Sequence, residues 1–124
     1  MPGRTATSII RRGPVISLTD NAALYERIDA LLAAAGDGPA PILAHFERTL
    51  TDGYAWALSL EAERWRLERR IGEVAAELHD GNKELKAEEL AVLSRRHASA
   101  GAELTDLRAR LTALRDRAAA IKVA

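Results

Sequence analysis

Arg64 and His97 are the residues whose types are best suited to chemistry. A guanidinium offers a fixed fork of donors to an oxyanion, and an imidazole changes its charge near neutral pH. Small Ala100 and Gly101 leave room beside them, and Glu61 and Glu68 stand one turn either side of Arg64, where each carboxylate can pair with it. These are the materials of a small-anion or nucleotide-phosphate pocket. They are equally those of a polar layer that fixes the register between two helices, with Arg64 snorkelling outward. The remaining chemical inventory is sparse. With no cysteine there is no thiol nucleophile, disulfide or thiolate zinc site, and His45, His79 and His97 share no helical turn. No glycine-rich phosphate loop precedes a helix. Catalysis needs a nucleophile or an acid–base pair beside a pocket, and His97 with Glu61 or Glu68 is the best set on offer. The sequence therefore points away from an enzyme and implies no metal and no cofactor.

The elements that must position Arg64 and His97 are long helices. From Ile42 to Leu78 there is no proline, and Leu43, Phe46, Leu50, Gly53, Ala57, Leu60, Arg64, Leu67, Ile71, Val74 and Leu78 follow one another in steps of three and four. That is a heptad seam, and it predicts a helix over 41–79. The stretch His79-Asp80-Gly81-Asn82 has turn chemistry, with Gly81 free to take positive φ, and a turn is expected over 79–83. A second seam then runs through Leu90, Leu93, His97, Ala100, Leu104, Leu107, Leu111, Leu114, Ala118 and Ile121, predicting a helix over 84–121. Helices joined by so short a turn are antiparallel neighbours. An antiparallel hairpin pairs residues whose numbers share one sum, which permits a test. Pairing Leu50 with Leu114 also sets Phe46 against Ala118, Gly53 against Leu111, Ala57 against Leu107 and Arg64 against Ala100, so from Leu43 to Val74 every seam position meets another and large side chains meet small ones. The expected fold is all-α, a long antiparallel helical hairpin of coiled-coil type.

A two-helix seam is thin, and further cover is expected. A short helix over 19–35, capped by Thr19 or Asp20 and ended by Gly36, carries Leu24, Ile28 and Leu31 and should pack near the open end of the hairpin. The following turn places Pro39 or Pro41 in the first turn of the long helix. Thr51, Tyr54, Leu58 and Trp65 form a second stripe beside the main seam, and Trp56 lies on the other flank. One short helix cannot cover both, so Tyr54, Trp56, Leu58 and Trp65 are the expected contacts to a protein partner or to a second copy, a homodimer. Residues 18–124 thus read as one helical domain. Residues 1–17 read as a flexible basic arm, with Arg4, Arg11, Arg12 and two Pro/Gly dipeptides.

Charge and composition narrow the function further. The 124 residues carry 18 Lys+Arg against 18 Asp+Glu, and 48% are hydrophobic but only 4% aromatic. A net charge of zero gives no general basic field, so direct binding of nucleic acid is not expected. Nor is a membrane location, because no apolar run is long enough for a signal peptide or a span; a cytoplasmic protein is expected. Locally the charges separate. Glu73, Glu77, Asp80, Glu84, Glu88 and Glu89 make the hairpin tip acidic, while Arg108, Arg110, Arg115, Arg117 and Lys122 gather at the open end. In outline, a hairpin with a carboxylate tip resembles the coiled-coil fingers of transcription-cleavage and DksA-type factors. Over Glu73 to Glu89 the resemblance implies Asp80 and Glu84 as tip contacts in an RNA-polymerase channel. The plain charge of Glu84 at a helix N-terminus has its own explanation in the helix dipole. The first expectation is a regulatory adaptor of the anti-sigma kind, a non-catalytic module binding a protein partner. The alternative is a self-assembling structural homo-oligomer. Lesser alternatives are the polymerase finger and an anion-responsive switch at Arg64 and His97.

Overall fold

The computed structural model describes residues 18–34 and 42–123. Three α-helices run through them: α1 (Leu18–Ala33), α2 (Leu43–Ala76) and α3 (Lys83–Val123), with a 3-10 turn at Glu77–His79 closing α2. At about 1.5 Å per residue α2 is about 50 Å long and α3 about 60 Å. The long pair is the expected antiparallel hairpin, and α1 packs on it in cis. Tyr25 reaches Glu103 and Asp29 reaches Arg110, so α1 runs parallel to α3 and antiparallel to α2.

The seam register is the one the sequence predicts. Phe46, Gly53, Ala57, Leu60, Leu67 and Val74 on α2, and Leu93, Leu104, Leu107, Leu111, Leu114 and Ala118 on α3, are all buried. Ion pairs on the two flanks mark the same register. Arg70–Glu89 and Arg96–Glu63 lie on one flank, with number sums just below that of the seam; Arg108–Glu61 and Lys122–Glu47 lie on the other, just above it by the same amount.

The core is in two parts. At the open end Leu24 and Ile28 of α1 join Phe46, Leu60, Leu107, Leu111 and Leu114 in one cluster, and towards the tip Leu67, Val74 and Leu93 make a smaller one. The layer holding Arg64, His97 and Ala100 separates them. Cover by α1 is thus confined to the open end, as a helix of 16 residues dictates.

Element ends depart from expectation by small amounts. Thr19 and Asp20 both lie within the helical span Leu18–Ala33 rather than at its cap. Ala33 is its last helical residue, and Gly36, Pro39 and Pro41 lie outside the described residues, as does the arm 1–17. α2 begins after an extended Ile42, and its last three expected residues tighten into the 3-10 turn, where Asp80 N–H donates to Glu77 O at 2.9 Å. Gly81 takes φ +77, as expected of it. The cap of α3 is Asn82, whose Oδ1 accepts the Leu85 N–H at 3.2 Å. Glu84 lies in the first turn, where the dipole favours it, but it is not the cap.

Candidate functional site

Three places were open to chemistry or contact: the polar layer, the tip and the flanks of α2. In the polar layer Arg64 and His97 are both half-buried, and the pairing differs from expectation. Glu68 Oε2 lies 2.8 Å from His97 Nε2, and Glu61 pairs with Arg108. Arg64 therefore pairs with neither carboxylate. Both glutamates project to the flank, within reach of α3, and the neighbouring helix offers each a partner that holds it away from its own. The Arg64 guanidinium instead lies flat over Gly101, whose absent Cβ would stand 3.4 Å from Arg64 Nε. That Nε is buried without a hydrogen-bond partner. Two carboxylates border the layer, so an incoming anion would meet negative charge on the approach from that flank.

The tip carries Asp80 and Glu84 as exposed carboxylates without an ion pair among the described residues. Glu77 is held to α3 by Lys86 at 2.6 Å, and this bond keeps its carboxyl below the usual glutamate range. No third acid or histidine joins them in a cluster that could hold a metal, among the described residues.

The flanks of α2 are decisive, because they separate the two tryptophans. Trp56 is not the free contact expected of it. It packs against the open-end core, and its Nε1 donates to Glu103 Oε2 at 3.0 Å. The same oxygen accepts the Tyr25 hydroxyl at 2.7 Å, and burial together with this carboxylate raises the Tyr25 pKa well above the usual phenol range. Arg110 stacks over the Tyr25 ring at 5.2 Å and pairs with Asp29. Arg27 ties α1 to α2 through Asp52 at 2.6 Å. Glu103 was not singled out in the sequence. Its register position opposite Trp56 was legible, but the arrival of Tyr25 from α1 was not.

On the other side Tyr54, Leu58 and Trp65 are exposed, Trp65 by 70% and Leu58 by 65%. Thr51 is exposed too, its hydroxyl turned back onto Glu47 O at 3.0 Å, so that it adds no free hydroxyl proton to the surface. Around Leu58 and Trp65 the outward positions are Ala55, Ala62 and Gly72, flanked by Arg48 and Arg69. Exposed Leu85 and Val92 belong to α3 nearer the tip and are not continuous with this stripe.

Comparison with known protein families, with curated proteins and with solved structures finds no match to this chain. No helix among the described residues is long and apolar enough to cross a membrane. The functional reading therefore rests on the geometry alone.

Proposed function

We propose that this chain is a non-catalytic protein–protein interaction module, whose working surface is the outer face of α2. The observation that supports it is the unequal treatment of the two tryptophans. The chain covers Trp56 with its own α1 and hydrogen-bonds it, while Trp65 and Leu58 stand open in a stripe with Tyr54. A large aromatic residue amid small neighbours on a rigid helix is the usual form of an interface anchor. A regulatory adaptor in the cytoplasm, of the anti-sigma kind, would grip a partner helix along this stripe. A self-assembling homo-oligomer would close it with a second copy.

Native mass spectrometry of a tagged copy, purified gently from its host, tests the module. The expected result is a stoichiometric protein subunit, foreign or identical, retained by the native chain and lost from a Leu58→Glu/Trp65→Glu variant that keeps its helicity. A lone chain of 13.5 kDa overturns the reading, as does a subunit indifferent to those substitutions.

A further inference from the structure

The outward positions of α2 form a second seam of their own. Ala44, Arg48, Thr51, Ala55, Leu58, Ala62, Trp65, Arg69, Gly72 and Ala76 follow in steps of three and four, as the buried seam does, and all but half-buried Ala62 are exposed. Two large apolar residues alternate in it with alanines. In an antiparallel pair of such helices one register places Leu58 opposite Ala62 and Trp65 opposite Ala55, in both directions, by symmetry. Sliding by one heptad either way sets Leu58 against Arg69 or Trp65 against Arg48. The favoured register has its two-fold axis level with Leu60, the midpoint of α2, so the helix overlaps its copy along its whole length.

We propose that the occupant of this face is a second copy of the chain, its α2 antiparallel to the first, with Trp65 seated over Ala55 and Leu58 over Ala62 of the second copy. The proposal rests on the interaction-module reading and names its partner. A parallel pair would stack Trp65 on its equivalent beside layers of facing alanines, and one interhelical distance cannot serve both. Charge favours the same orientation. Antiparallel hairpins hold the two acidic tips, where Asp80, Glu84 and Glu88 lack ion pairs among the described residues, at opposite ends of the pair. Parallel hairpins would set the two acidic tips side by side. In the antiparallel register Tyr54 falls beside Glu61, and Ser59 beside Arg66, of the second copy. Glu47 meets Glu68 of the copy, but each already has a partner in its own chain, Lys122 and His97.

The chain has no cysteine, which makes engineered cross-links unambiguous. Light scattering should give twice the 13.5 kDa chain mass, and Leu58→Glu/Trp65→Glu should weaken the dimer by about a hundredfold or more with helicity unchanged. Arg48→Cys mixed with Gly72→Cys should form a disulfide that neither variant forms alone, because those positions face each other only between antiparallel copies. Asn82→Cys should not cross-link to itself, since the two tips would stand about 65 Å apart. A monomer at micromolar concentration, a dimer that survives the double substitution, or an Asn82→Cys self-disulfide each overturns the proposal. A monomer that carries a foreign subunit protecting the α2 face from hydrogen exchange removes the second copy but leaves the interaction module standing. A monomer with that face unprotected and no subunit removes both.

Discussion

Gly53 lies directly beneath Leu111. A Cβ built on the glycine would stand 2.4 Å from Leu111 Cδ2 and 3.4 Å from its Cγ, and Leu111 is only 1% exposed, with nowhere to withdraw. Gly53 therefore sets how closely α2 and α3 approach at the open end. Gly53→Ala gains helix propensity of about 1 kcal/mol but overpacks a filled core at a cost of about 1–3 kcal/mol, so a net loss of stability is expected. Gly72 is the control. A Cβ added there would meet nothing within 4 Å, and Gly72→Ala should raise stability by about 1 kcal/mol. Thermal unfolding of the two variants checks the opposite signs.

That close approach was legible in the sequence, because a glycine in a leucine seam opposite another leucine leaves little else for it to be. So were the register, Gly81 and the confinement of α1 to the open end. What failed were choices among side chains with equal reach. Glu61 and Glu68 could serve Arg64 on their own helix or a partner on α3, and local spacing cannot weigh a neighbouring helix. Trp56 and Trp65 were similarly equivalent, since either flank of a heptad seam can receive a third helix. The face chosen by α1 depends on Tyr25, Arg27 and Asp29 meeting Glu103, Asp52 and Arg110 together, a match of three positions that no periodicity expresses.

The shared carboxylate of Glu103 makes the docking of α1 sensitive to one side chain. Glu103→Ala leaves the Tyr25 hydroxyl and the Trp56 indole without their acceptor, and should weaken α1 docking by about 1–2 kcal/mol while the hairpin persists. Hydrogen exchange should rise in α1 and stay unchanged between Leu67 and Val74. Equal loosening of both regions would show that Glu103 supports the hairpin instead.

Tyr25 adds a response to alkaline pH. Its folded pKa is raised above the ordinary 10.0, chiefly by burial and then by its bond to Glu103, so the stability it contributes is complete below 10 and is lost as pH rises beyond it. α1 should therefore undock at strongly alkaline pH before α2 and α3 separate. Phenolate absorbance in a Tyr54→Phe background follows the ionisation. Titration of Tyr25 at the ordinary phenol value would contradict the docked geometry.

In the polar layer, the unpartnered Arg64 Nε means that Arg64→Leu should raise hairpin stability, by about 1 kcal/mol, because an apolar side chain opposite Ala100 leaves no buried donor unmet. The same variant should lose register uniqueness, detectable as a wider spread of distances between spin labels on Glu73 and Glu88 sites. If Arg64→Leu destabilises the hairpin instead, the guanidinium is held by an interaction that the layer's geometry does not supply.

Acid should act first at the tip. The carboxyl of Glu63 is held below its ordinary 4.5 chiefly by the hydrogen bond from Arg66, and that of Glu77 by the one from Lys86. For a depressed carboxylate the stabilisation is present above the unfolded pKa and is lost as pH falls through the folded one, so both contributions fade below about 4.5. Glu77 is the partner through which Lys86 of α3 reaches the 3-10 turn, whereas Glu63 pairs with Arg66 and Arg96 beside the polar layer at the middle of the hairpin. Protonation should therefore open the turn before the centre of the hairpin. Native-state hydrogen exchange should show the Asp80 amide losing protection on acidification ahead of the amides near Leu60. The Glu77→Gln variant should show that opening already at neutral pH, with a smaller further change in acid. Acid sensitivity unchanged by Glu77→Gln would move the cause to another carboxylate.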